Sequence, residues 1–305
     1  MQIYLPIAEI PVDVLLVLAM SLAVGFVSGM FGIGGGFLMT PLLIFMGVPT
    51  AVAVASEAPQ IAASAFTGSL AYWKRRAIDL KLGAVLLAGG VVGSGAGVAF
   101  FNALRAAGQL EAFIAVSYVL MLGAIGGLML VESRRASFAK EKAPAGRRSP
   151  ARRFVDAFPL KLRFRRSMIH ASVIPLAGLG AFIGFAGAVL GVGGGFLLVP
   201  ALVYVFRVPT AVVVGTSLFQ ILVTMLASTV MHALTNASVD IVLATLLMVG
   251  GSIGSQFGVR MGQKLSGERL RLLLAIMLLV VAGRFLLDLV VAPDEPFSIS
   301  QAERR

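Results

Sequence analysis

Two glycine clusters carry the residues best suited to chemistry. One is Gly32-x-Gly34-Gly35-Gly36 and the other is Gly191-x-Gly193-Gly194-Gly195, each followed by Phe and, four residues later, by proline. A helix that starts at such a cluster exposes unpaired backbone N–H groups and the positive end of its dipole. Glycine leaves those groups unobstructed, so a small anion can approach the backbone closely. A short way downstream, Ser56, Glu57 and Gln60 in one cluster answer Thr216, Ser217 and Gln220 in the other. Positions i and i+4 share a helix face, so either trio can offer hydrogen bonds to one ligand or to a neighbouring helix. Glu57 is an acid within an apolar run and a candidate proton carrier. Arg284 is a strong base within such a run, with Asp288 one turn on as a pairing partner; it reads as a paired or snorkelling arginine or as an anion contact.

The elements that position these residues must lie in lipid. Hydrophobic residues make up 58% of the 305, charged residues 13%, and mean hydropathy is +0.96. A water-soluble surface needs more charge than that. The fold class read from this is an all-α polytopic membrane protein of about 8–10 spanning helices, its first apolar run retained as a helix rather than cleaved as a signal peptide. Cysteine is absent, which excludes disulfides and thiolate metal sites. Two isolated histidines, His170 and His232, make no metal site, and no cofactor is expected.

The chain is internally duplicated. Gly25–Ala62 lies over Gly184–Leu222 with one inserted residue, bringing Pro41, Pro49 and Thr50 onto Pro200, Pro209 and Thr210. Asp79 falls on Asp240, each at the start of a helix as an N-cap. Gly89-Gly90-x-x-Gly93-Ser94-x-x-Gly97 falls on Gly250-Gly251-x-x-Gly254-Ser255-x-x-Gly258, small-residue faces suited to close helix packing. Five apolar segments follow in each half: 12–31, 33–47, 50–72, 80–101 and 110–131, then 168–190, 192–206, 210–234, 239–259 and 270–291. This gives an N-terminal repeat at 1–131, a linker at 132–167, a C-terminal repeat at 168–292 and a polar tail at 293–305.

The net charge of +11 is concentrated in that linker, which holds twelve Lys and Arg against Glu132, Glu141 and Asp156. The cluster reads as a cytoplasmic retention signal with help from anionic lipid, not as a nucleic-acid site. With the linker inside, five crossings per half also place Lys74-Arg75-Arg76, Arg207 and the Arg260–Arg271 loop in the cytoplasm, as the positive-inside rule asks. An odd number of crossings makes the halves inverted. If the second, glycine-led segment dips in and returns instead, the halves are parallel and the Arg260–Arg271 loop lies outside.

The repeated G-x-G-G-G-F-x-x-x-P with its Val-Pro-Thr-Ala turn, Gly215-Thr216-Ser217, and the Asp79 and Asp240 elements resemble the sulfite exporter TauE/SafE family of membrane permeases. The resemblance covers nearly all of the chain outside the linker. It implies transport of a sulfur oxyanion or organosulfonate across a bacterial inner membrane; the sequence has no nucleotide-binding motif, so ATP drive by this chain is not expected. Ala55-Ser56-Glu57 departs from the family pattern where the second half has Gly215-Thr216-Ser217. The reading is therefore a secondary transporter with a midplane site at the glycine clusters, its partners a small anion and membrane lipid. The alternatives are a passive anion channel or a carrier of another small anion such as a carboxylate. Oligomeric state and flux direction are open at this level.

Overall fold

The computed structural model describes residues 2–31, 36–74, 76–138, 159–164, 166–167, 169–206, 208–262 and 267–290. Gly32, Gly34 and Gly35, most of the basic linker and the tail lie outside the described residues. Ten helices are found among those described. They are α1 (Val14–Phe31), α2 (Gly36–Phe45), α3 (Thr50–Lys74), α4 (Leu80–Ala106) and α5 (Leu110–Phe138), then α6 (Val173–Leu190), α7 (Gly195–Pro200), α8 (Thr210–Asn236), α9 (Ile241–Gly262) and α10 (Gly267–Val290). Five stretches, in α4, α5, α6, α8 and α9, are long and apolar enough to cross a membrane; those in α1, α2 and α10 are apolar but shorter. The chain is an all-α polytopic membrane protein.

Each half opens with a β-hairpin that the apolar pattern does not announce. Strands β1 (Gln2–Leu5) and β2 (Ile10–Asp13) pair antiparallel, and β3 (Lys161–Phe164) pairs with β4 (Ile169–Ser172) in the same register. The next residue begins a helix in both cases. Asp13 accepts from Leu15 N and Leu16 N at the start of α1, and Ser172 accepts from Ile174 N at the start of α6. Regular structure thus reaches into both ends of the stretch read as linker: α5 runs on to Phe138, and the second hairpin begins at Lys161.

The helices pack in pairs that exchange between halves. The small residues fix their directions, because a Cβ placed on each would strike the partner helix, in the first two pairs at its backbone. Gly250 faces Leu18 and Ser21, Gly254 faces Leu22 and Phe26, and Gly258 faces Phe26 and Met30, so α1 and α9 run the same way. The equivalent pair, α4 and α6, repeats this: Gly180 faces Leu86, Gly184 faces Gly90, and Gly97 faces Phe185. The two central helices run oppositely, with Tyr72 of α3 against Gly215 of α8 and Gly68 against Leu218. So do α5 and α10, where the Tyr118 ring stacks on Phe285 at 5.2 Å and Gly126 meets Leu278 and Leu279. Backbones approach this closely only where side chains are absent, which is how small residues hold helices together when lipid removes the hydrophobic drive.

Overpacking a tight interface costs about 1–3 kcal/mol. Gly93→Val or Gly254→Val is expected to lower the thermal unfolding midpoint in detergent clearly. Gly178→Ala and Gly123→Ala, where a Cβ would meet nothing within 4 Å, are expected to leave it unchanged.

Candidate functional site

The second glycine cluster is a break between two helices in the protein interior. Residues 191–195 are all buried. Gly191, Gly193 and Gly194 have φ of 68°, 73° and 71°, a left-handed region that costs any residue with a Cβ. The resulting turn ends α6 and starts α7, whose first turn is held by Leu197 N and Leu198 N donating to Gly194 O. Beyond Pro200 the segment widens into a π-helical turn over Ala201–Val205, where a proline without an N–H disturbs the regular ladder.

Ending a helix inside the protein leaves carbonyls that must be met, and three other helices meet them. His232 of α8 donates from Nε2 to Ala188 O at 3.0 Å, Tyr118 of α5 donates to Leu190 O at 2.8 Å, and Thr40 of α2 donates to Gly191 O at 3.5 Å. The start of α2 closes on the same place, since a Cβ on Gly36 would strike Gly191 O and Ile61 of α3. Ile61 also covers Gly193. Gly36, the described residue of the first cluster, therefore meets the second cluster beside α3. Gly36 itself faces a carbonyl oxygen, so its lack of a side chain serves close packing.

The polar residues downstream divide into two kinds. Ser56 Oγ accepts from Asp240 N at 2.9 Å, and Thr216 Oγ1 accepts from Asp79 N at 3.0 Å. These hydroxyls hold the N-cap residue of the opposite half's fourth helix. Asp79 and Asp240 in turn cap α4 and α9, accepting from Lys81 N and Leu82 N and from Val242 N and Leu243 N. The second carboxylate oxygen of each takes a bond from a hairpin turn: Asp240 from Ile7 N at 2.9 Å, and Asp79 from Ser167 N at 3.0 Å and Ser167 Oγ at 2.8 Å. Hydroxyl, aspartate and hairpin thus form one clamp at each of two equivalent places.

The other kind points along the central helices. Gln60 lies on Gly251 and, with its amide nitrogen turned inward, donates to the Glu57 carboxyl. Gln220 lies on Gly90, the residue equivalent to Gly251, and donates to Thr224 Oγ1 at 2.9 Å. All of Ser56, Glu57, Gln60, Thr216, Ser217 and Gln220 are fully buried. Ser217 Oγ and Gln220 Oε1 have no partner among the described residues, a condition that costs about 1–3 kcal/mol per group. The equivalent trios therefore differ: Glu57 and Gln60 engage one another, whereas Ser217 and Gln220 keep capacity for a ligand.

Arg284 is placed elsewhere. Its guanidinium sits over the Phe45 ring at 5.3 Å from the centroid, nine residues and about 13 Å of helix from Gly36. The Asp288 side chain expected to pair with it lies outside what is described. Buried polar residues that the sequence did not place at the site include Tyr118, Ser64, Thr224, Ser228 and His232. The last three continue the spacing of Ser217 and Gln220, so the pattern was present in the sequence.

Comparison with known proteins agrees with this architecture. The family model for "Sulfite exporter TauE/SafE" matches residues 17–285. A "Probable membrane transporter protein YjnA" of Bacillus subtilis is 26% identical over 87% of this chain and 96% of its own length. A "Probable membrane transporter protein" of Xylella fastidiosa is 28% identical over 85% of this chain and 88% of its own. One of the same description from Methanocaldococcus jannaschii is 24% identical over 92% and 99%. No solved structure matches.

Removing a clamp hydroxyl while keeping its volume isolates the bond. Thr216→Val is expected to destabilise the protein by about 1–3 kcal/mol, by orphaning the buried Asp79 N–H, and Thr216→Ser to restore most of the loss. Thermal unfolding of both variants in the same detergent checks this.

Proposed function

The chain belongs to the sulfite exporter TauE/SafE family, and from that premise we propose that it is a secondary transporter of a small anion. The substrate class is sulfite, an organosulfonate or a related sulfur oxyanion. The site is the region between the interior Gly191–Gly195 turn, the α7 start and the polar faces of α3 and α8, with Gly193, Gly194, Gly195, Ser217 and Gln220 as its main contributors. The observation that carries this reading is the interior break at Gly191–Gly195, built from three left-handed glycines and contacted by α2, α3, α5 and α8. Irregular backbone at membrane depth persists where it is packed in protein or lines a wet cavity, and such breaks mark substrate sites in transporters.

An anion held by hydroxyl, amide and backbone donors, with no fixed cation against it, is bound weakly enough to leave. Alternating access needs two arrangements of near-equal energy, and an inverted duplication supplies them by symmetry. The opposed directions of α3 and α8, and of α5 and α10, support that inversion, as do the shared directions of α3 with α9 and α4 with α8. In this account the 73–78 loop, the basic linker and the 263–271 loop face the cytoplasm of a bacterial-type inner membrane.

Glu57 is the proposed coupling group. A charged acid at mid-membrane costs about 2.5–3.5 kcal/mol, and Gln60 is the neighbour that can accept or release its hydrogen bond as the proton comes and goes. Purified protein in liposomes, offered labelled sulfite, sulfate, methanesulfonate and a carboxylate with and without a pH gradient, tests the assignment. Saturable flux that exchanges across the membrane and favours a sulfur anion is expected; unitary currents in planar bilayers would identify a channel instead. In the same assay Glu57→Gln is expected to alter the pH dependence of flux, and an unchanged profile would remove Glu57 as the coupling group.

A further inference from the structure

One face of α8 is polar along most of its length. Ser217, Gln220, Thr224, Ser228 and His232 recur at intervals of three and four, which puts them in one file on the helix. All five are fully buried. On the opposite side Leu226, Val230 and Leu234 are exposed, as a lipid-facing surface should be. From Ser217 to His232 the file covers about 22 Å, most of a hydrocarbon core of about 30 Å.

Hydroxyls in a membrane helix ordinarily satisfy themselves on the preceding turn. Thr229, Thr235 and Thr245 do so, donating to Met225 O, Met231 O and Ile241 O. The file does not follow this habit. Ser217 Oγ, Gln220 Oε1 and Ser228 Oγ are buried without partners among the described residues. Three such groups on a single face, in a protein that otherwise meets its interior helix ends with care, are costly unless water or a polar solute passes along them.

Both ends of the file are basic. Near Ser217, the residues flanking Asp79, Ile78 and Leu80, line a cavity of about 370 Å³ with Lys74, Arg76 and Arg166. Asp79 N in turn donates to Thr216, the neighbour of Ser217. At the far end His232 Nδ1 accepts from Asn236 Nδ2 at 3.0 Å, and Arg105 donates to Asn236 O and Ser238 Oγ. Cations at the mouths and neutral donors between them concentrate an anion without trapping it.

The equivalent face of α3 begins the same file but does not continue it: Ser64, buried with a hydroxyl that has no partner among the described residues, stands where Thr224 does. Gly68 stands where Ser228 does, and is closed by Leu218; Tyr72 stands where His232 does; Glu57 and Gln60 occupy each other. We propose that the anion's route through this protein is one-sided, running along the polar face of α8 from the Lys74–Arg76–Arg166 cavity to Arg105. Thr224, Ser228 and His232 are its lining beyond the Ser217–Gln220 site. This rests on the transporter reading for the cargo but not for the existence of the wet face.

The native chain contains no cysteine, so single cysteines report without background. Gln220→Cys, Thr224→Cys and Ser228→Cys, with Leu226→Cys and Val230→Cys as lipid-face controls, are reconstituted in liposomes. They are treated with 2-sulfonatoethyl methanethiosulfonate, a water-soluble anion that needs an ionised thiol. The file positions are expected to react more than about tenfold faster than the controls, because a thiol in lipid does not ionise. An excess of methanesulfonate, which does not react with the reagent, is expected to slow them. Equal, negligible reaction at all five positions in protein that still carries sulfite overturns the route while leaving the transport assignment standing. Fast file labelling without protection or flux by any sulfur anion leaves the route and overturns the cargo. As a check independent of labelling, Ser228→Leu is expected to abolish flux with membrane insertion retained; full flux in that variant also overturns the route.

Discussion

Inside a bilayer no water is at hand to satisfy a helix end, so every interior terminus must find its partners in the protein. This chain solves that problem across its duplication. The N-cap of α9 is held by Ser56 of α3, and the N-cap of α4 by Thr216 of α8. The interior end of α6 is met by Thr40 and Tyr118 from the first half and by His232 from its own. Neither half can complete its own hydrogen bonding. The glycine faces of α1 with α9 and α4 with α6 follow from the same need, because only close backbone contact brings these partners within reach.

The symmetry of those clamps makes the places where it fails informative. Ser56 and Thr216 do the same job, as do Asp79 and Asp240. One residue further on, Glu57 stands where the other half has Ser217, and a pair closed on itself is the counterpart of a site with two unpartnered groups. Duplication supplies the scaffold, and divergence of a few positions on the central helices supplies the chemistry. An acid on one helix and open hydrogen-bonding capacity on the other is the division expected if proton and anion are handled by different halves.

Much of the fold was legible because its devices are compositional. Gly36 and Gly195, Pro49 and Pro209, and the N-cap aspartates recur at a nearly constant offset, and each pair marks a helix start that the structure reproduces. The hairpins were not legible from hydropathy, since strands of four residues give too short a period against apolar flanks. The repeat itself reaches them: Ile10 and Ile169 stand at one offset, and so do Asp13 and Ser172, both caps. The role of Ser56 and Thr216 as clamps was not accessible, because nothing in a hydroxyl's sequence position says whether its partner is a ligand or a backbone N–H of the other half. The file on α8 lay in plain view, masked by treating Ser217 and Gln220 as a local trio.

The inverted crossing of the two halves is the claim on which clamps, site and route all depend. Fluorescent maleimide labelling from either side of sealed vesicles, with single cysteines at 76, 263, 108 and 237 in the otherwise cysteine-free chain, measures it directly. The account predicts that 76 and 263 label from one side and that 108 and 237 label from the other. Labelling of 76 and 263 from opposite sides would contradict it.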